Sequence, residues 1–345
     1  VTTETFELAD DFEAINEHLY EQGWTDGLPV VPPTEERVER MLAATTRHRD
    51  EVVAVLEPRK GEATVETIAV NAVMAGCRPE YLPVIIAAVE AMGDPALNLY
   101  GILTSTHNVS PLVLVNGPLA RQLDISCGLP QTPNRRRASA TIGRAIVLIT
   151  INVAGIPGGT HVDTQEPIGR YYHCIAENEE ESPWEPFHVS RGFAPEQSTV
   201  TVFPANPAQH LDDMGSTGPK GVLKTFALSV ANSANRNTHA WGEPLFLIGA
   251  QHAQTIAKDG WSRADVQRFL YEQARVRHST FSEENLIVLS EERLKYYHGA
   301  LPDPLYPIAD RPEDIAIVVM GGRGTHSLYV QTLVAARPVT VPIRN

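Results

Sequence analysis

Apolar residues fall at helical spacing in residues 10–22, where Phe12, Ile15 and Leu19 form one stripe, so an amphipathic helix is expected there. Residues 23–34, GWTDGLPVVPPT, break that period with Gly, Pro and Asp and read as an ordered loop. Thr34 followed by Glu35 and Glu36 is a helix start, and a helix should run to about Leu42. Residues 52–56 are a short apolar run suited to a buried strand. Helices are expected over 64–75 and 79–92, and Pro79 is tolerated in the first turn of the second. Residues 99–103 and 112–115 read as strands, the latter ending in the turn Asn116-Gly117-Pro118. Residues 139–151 read as a helix with Ile142, Ala145, Ile146 and Ile149 inward. Strands follow at 200–203, 245–248 and 315–320, and helices at 220–234, 250–258 and 263–275. Residues 155–191 and 279–314 show little period, and irregular stretches of that length often carry function.

Strands alternating with helices define an α/β fold class with mixed, partly parallel sheets flanked by helices. No repeat or clean linker divides the chain. The least costly cut lies near residue 195 and gives two α/β lobes, 1–195 and 196–345. Ligands of such sheets sit beyond the carboxyl ends of the strands. Four polar turns are expected in that position: STH at 105–107, NGP at 116–118, GAQH at 249–252 and GGRGTH at 321–326. Their convergence on one pocket is the structural expectation.

Composition narrows the partners. The 345 residues are 43% hydrophobic and 20% charged, with a net charge of −14. That charge argues against nucleic acid, which needs a surplus of Lys and Arg; the run Arg135-Arg136-Arg137 is too short to change this. Cys77, Cys127 and Cys174 form no disulfide framework and no CxxC pair. The acidic amino-terminal stretch lacks signal-peptide character, and no apolar run reaches the roughly 18 residues of a membrane span. A cytoplasmic homo-oligomer acting on a small molecule, without membrane or nucleic-acid partners, is the expected context.

Histidines and carboxylates supply the candidate chemistry. His107 is expected just after a strand, where it would act as a base or metal ligand; a backbone-bonded turn histidine is the alternative. In YYHCIAENEEESPWEP, His173 and Glu177 share one face of either a helix or a strand and are candidate ligands for a divalent metal or partners in proton transfer. Glu177, Glu179, Glu180 and Glu181 repel one another unless they are solvated or share a cation. Cys174 is a candidate thiol nucleophile. Gly322 and Arg323 lie in a Gly-rich turn that resembles an anion-binding nest, with His326 in the same turn. The string matches neither nucleotide-binding glycine pattern. His252 at a helix start, Asn116 at a strand end and Arg144 within an apolar helix complete the candidate substrate-binding set. Arg144 needs a carboxylate partner, either structural or from a substrate.

The strings GWTDGLPVVPPTEERVERML, EVVAVLEPRKGEATVETIAVNAVMAGCRPEYLPVIIAAVEAM, ATIGRAIVLITINVAG, IAENEEESPWEP and HAQTIAKDGWSRADV resemble the bacterial UGSC-type (seleno)protein family over nearly the whole chain. In that family the long region accompanies a short Sec/Cys-Gly-Ser-Cys module, fused or separate, so the resemblance implies thiol or selenol chemistry in a complex. This chain has no Cys-Gly-Ser-Cys, its nearest string being Ser126-Cys127-Gly128. Residues 126–139 and 203–218 also depart from the family's usual strings, which implies a changed pocket and substrate. The expectation is an enzyme for a small anionic substrate, hydrolytic or lyase-type and assisted by a divalent metal. The alternatives are a non-redox substrate-binding or scaffold subunit serving a thiol/selenol partner protein, and a ligand-binding protein without turnover.

Overall fold

The computed structural model describes residues 5–8, 10–128, 136–156, 173–286 and 303–344, with only the backbone of His173. Helix α1 (Phe12–Glu21) starts at Asp11, whose carboxylate accepts the Ala14 amide. Helix α2 (Glu35–Leu42) follows Thr34, as its sequence signal indicates. Strands β1 (Val52–Leu56) and β2 (Gly61–Thr64) form a hairpin, and the Thr64 hydroxyl then caps α3 (Val65–Met74). Helix α4 (Leu82–Gly93) is apolar on nearly every side because it is buried on nearly every side.

Residues 99–103 correct a sequence expectation. They form helix α5 (Leu99–Thr104), not a strand. Asn98 adopts a left-handed backbone and its side chain accepts the Gly101 amide at 3.0 Å, which nucleates a helical turn. A Cβ on Gly101 would lie 2.7 Å from the Asn98 amide nitrogen, so a larger residue there would have to shift the capping side chain.

Strand β3 (Ser110–Asn116) leads through α6 (Pro118–Gln122) and α7 (Arg137–Asn152) to β4 (His173–Ala176). The short α8 (Phe187–Ser190), strands β5 (Thr199–Ala205) and β6 (Gln209–Asp212), and α9 (Pro219–Val230) follow. Strand β7 (Leu245–Ile248), helices α10 (Ala250–Ala257) and α11 (Arg263–Gln273), and the paired β8 (Arg275–Arg277) and β9 (Leu305–Pro307) come next. Strands β10 (Ala316–Val319), β11 (His326–Val330) and β12 (Val339–Pro342) complete the order.

Two four-stranded sheets organise these elements, one in the order β12-β5-β3-β4 and the other β10-β7-β11-β6. Each holds one parallel pair, β3 with β4 and β7 with β10, and antiparallel neighbours beyond it. The period of two along each strand sorts its side chains between layers. Leu112 and Leu114 of β3 meet Leu245 and Leu247 of β7 and Val318 of β10 between the sheets. Val113 and Val115 turn outward to α3, α4 and α7, while Phe246, Ile248 and Ile317 turn outward to α9, α10 and α11. The result is a four-layer α/β/β/α sandwich, in agreement with the expected mixed α/β class. Strands β5 and β12, from beyond residue 195, complete the sheet that β3 and β4 begin. Among the described residues no single helix is long and apolar enough to cross a membrane.

Arg144 has a structural partner. Its Nε and Nη2 donate to the two carboxylate oxygens of Asp26, both at 2.8 Å, and Nη2 also donates to the carbonyls of Leu28 and Pro29. The fork pins the 23–34 loop onto α7. The carboxylate partner that a part-buried arginine needs is therefore supplied within the chain, by Asp26. Replacing Arg144 with Met should lower unfolding free energy by about 2 kcal/mol in a urea titration, the usual worth of charge-assisted hydrogen bonds. An unchanged midpoint would show that the loop is held by other contacts.

Candidate functional site

The carboxyl ends of both parallel pairs reach one rim. The Ala176 amide donates to the Ser126 carbonyl at 2.8 Å, and the Gly321 amide to the Cys127 carbonyl at 2.6 Å. The Asn178 amide donates to the Val319 carbonyl, and its side chain donates to Gly321, both at 2.8 Å. These bonds stitch the end of β4 to the end of β10. The turns at 116–118, 249–252 and 321–326 all lie on this rim, where Gly324 donates to the Gln251 side chain at 2.9 Å. The turn at 105–107 does not join them. His107 precedes β3, and the strand's seven residues put it on the order of 20 Å from the other end. The 105–107 turn therefore does not converge with the other three as expected, because α5 replaces the strand that would have delivered His107 to the rim.

Glu177 is the chemical centre of the rim. Val115 pairs with Ala176, so Asn116 and Glu177 leave their strands side by side. Glu177 is only 5% exposed. Its Oε2 accepts the Asn116 amide group and the Phe187 backbone amide, both at 2.6 Å. Its Oε1 lies 3.8 Å from Nη2 of Arg263, which begins α11 and also donates to the Glu185 carbonyl. Burial pushes the Glu177 carboxyl up to about 7, although Phe187, Arg263 and Asn116 all pull it down; Glu179 adds to the rise. Burial also lowers the Arg263 pKa, against the pull of Glu177 and Glu185.

Glu179 extends this cluster towards solvent. Its Oε1 accepts the Asn116 amide group at 3.0 Å and the Gly117 backbone amide at 2.7 Å. Gly117 has φ of 86°, and a Cβ there would lie 2.4 Å from the Gln197 carbonyl oxygen, so glycine alone fits this turn. Nδ1 of the fully buried His188 stands 3.8 Å from the same Glu179 oxygen. Thr199, opposite Asn116 on β5, is also fully buried. Several atoms of this group lack a hydrogen-bond partner: Asn116 Oδ1, Glu177 Oε1, both His188 ring nitrogens, Thr199 Oγ1, and Nε and Nη1 of Arg263. Buried polar atoms are rarely left so, and their concentration around one carboxyl makes this cluster the candidate site.

The expected pairing of His173 with Glu177 on one metal meets two obstacles. Strand geometry, at roughly 3.3 Å per residue, separates their backbones by about 13 Å. The cation beside Glu177 is already Arg263. The His173 side chain lies outside the described residues. Cys174 is fully buried among apolar groups, and burial holds its thiol protonated, so it is a core residue and not a nucleophile. Burial likewise pushes the Cys77 thiol up to about 12.

The remaining expected residues divide. Gly322 and the exposed Arg323 sit on the rim, in the turn that Asn178 holds. Nδ1 of His326 shares a 2.6 Å hydrogen bond with the Asp212 carboxylate. His252 is buried rather than lining a pocket. The Asp213 carbonyl can only accept, so His252 Nε2–H donates to it at 3.1 Å; in the neutral ring that burial favours, Nδ1 then accepts at 2.8 Å from the Ser327 hydroxyl, which itself accepts the Gly249 amide at 3.0 Å. This assigns a neutral tautomer, and burial, the largest cause, lowers the His252 pKa. His188, Thr199 and Arg263 carry no local sequence signal, since only tertiary packing brings them to Glu177. No protein-family model matches the chain, and no curated protein sequence matches it.

Proposed function

We propose that the chain is an enzyme for a small anionic substrate, working by hydrolytic or lyase-type proton transfer with Glu177 as the acid–base group. The observation that carries this reading is a buried carboxyl at the carboxyl ends of β3 and β4 whose pKa is pushed up to about 7. A group that titrates near neutrality can both give and take a proton at working pH. Arg263 tempers the cost of its charged form, and Asn116 and the Phe187 amide fix its orientation. Asn178, the next residue, holds the turn bearing Gly322 and Arg323, which supplies backbone amides and a cation for the substrate anion. The resemblance to UGSC-type proteins carries a second reading, a subunit that presents substrate to a separate thiol or selenol protein. The buried, protonated thiols of Cys77 and Cys174 fit that reading, since neither is poised for thiol chemistry.

Incubation of the full chain in D2O with small hydroxy acids, carboxylic acids and amides tests the first reading. NMR should detect hydrolysis, elimination or carbon-bound hydrogen exchange for at least one compound, and Glu177→Gln should abolish it. Turnover that survives this substitution would remove Glu177 from the mechanism.

A further inference from the structure

A second cluster lies at the edge of the other sheet. Strands β6 and β11 are antiparallel, with Asp212 directly opposite His326 and His210 opposite Leu328. The two-residue period puts His210 and Asp212 on one face of β6, and His326 faces them from β11. His326 Nδ1 is 2.6 Å from Asp212 Oδ1, and His210 Nδ1 is 3.3 Å from Asp212 Oδ2. The two imidazoles stack at 5.2 Å. One ligand atom from each of the three residues lies within 4.8 Å of the others.

We propose that His210, Asp212 and His326 bind a divalent transition ion of the zinc class, with at least one coordination position open to solvent. Ligands about 2.0–2.2 Å from an ion stand roughly 3–3.5 Å from one another, so three groups already within 4.8 Å need only a small side-chain adjustment to close on one. An ion would take the place of the proton now shared between Asp212 and an imidazole. Two nitrogens and one carboxylate select borderline ions such as Zn2+ or Co2+ over Ca2+ and Mg2+, which prefer all-oxygen sites. The three side chains are 53%, 52% and 59% exposed, so they can occupy one side of an ion and leave the other to water or an anionic ligand.

The frame behind the cluster is rigid, which separates it from chance surface histidines. Ser327 follows His326, Asp213 follows Asp212, and the buried His252 bonds to both, through the Ser327 hydroxyl and the Asp213 carbonyl. Asp213 is itself fixed by Ser216 and Thr225 hydroxyls at 3.0 and 2.5 Å. Such support orients ligands before the ion arrives and strengthens binding. The site stands independently of the role given to Glu177.

Calorimetric titration of the tag-free, chelator-treated full chain with Zn2+, and absorption titration with Co2+, test the proposal. One equivalent should bind, with a visible Co2+ band of a low-coordinate site and no comparable binding of Ca2+ or Mg2+. His326→Ala and His210→Ala should each weaken binding at least about tenfold, and Asp212→Asn similarly, while His48→Ala should not. The substituted side chains are exposed, and circular dichroism would verify that each variant is folded. Absence of stoichiometric binding, or wild-type affinity in both folded histidine variants, would overturn the proposal.

Discussion

Glu177→Gln should abolish turnover and at the same time stabilise the folded protein above neutral pH. Removing a general acid–base group costs typically about 10²- to 10⁴-fold in rate. The stability effect follows from the raised pKa. In the unfolded chain the carboxyl titrates near 4.5, and in the folded protein near 7. The folded state therefore binds the proton more tightly. Below about pH 4.5 the group is neutral in both states and costs nothing relative to glutamine. Between about pH 4.5 and 7 the unfolded chain ionises this carboxyl while the folded protein keeps it protonated, so the penalty grows to roughly 3 kcal/mol by pH 7 and stays level above it. Glutamine keeps an oxygen to accept from Asn116 and Phe187 and carries no charge. Thermal unfolding of the variant should match wild type near pH 4.5 and exceed it at pH 8. Equal stability at both pH values would mean that the carboxyl is not perturbed by burial.

Arg263→Met should move the activity profile to higher pH, and its effect on stability should depend on pH. Arg263 is the cation facing Glu177 Oε1. Without it the carboxyl loses the main charge that favours ionisation, and it should hold its proton about tenfold more tightly. The limb of the pH–rate profile set by Glu177 should move alkaline to the same extent. At pH 5 Glu177 is protonated either way, and exchanging a buried guanidinium for an apolar chain of similar length should be near neutral. At pH 9 the carboxylate would be buried without its partner, and a tenfold change in proton affinity corresponds to a loss of about 1.4 kcal/mol. A uniform loss at both pH values would assign Arg263 a purely structural role.

The helices were legible because their apolar stripes are long and punctuated. Thr34, Thr64 and Pro79 mark starts that the structure keeps. Strand β3 was legible as an unbroken apolar run, which is the pattern of a strand buried on both faces. Residues 99–103 misled because LYGIL has no period of its own; the capping side chain of Asn98 decided the outcome. Strands β6 and β12 escaped because they are short and part-exposed, and their identity comes from the partners they pair with.

The site was half legible. Glu177 stood out among clustered carboxylates, but a run of glutamates reads as one solvated face. In the structure Glu180 is exposed beside Arg121, while Glu177 is enclosed by Asn116, Phe187 and Arg263. That division depends on where β4 ends, which no local pattern reveals. His326 was singled out for its turn, but its partners His210 and Asp212 come from an edge strand that the sequence does not announce.

The protonation of Glu177 is the claim on which the proposed function rests. Carbon-13 NMR of the side-chain carboxyl in the full chain, assigned by comparison with Glu177→Gln, measures it directly. A resonance that titrates near pH 7 and disappears in the variant is the expected result. A midpoint near the ordinary glutamate value of about 4.5 would contradict the account.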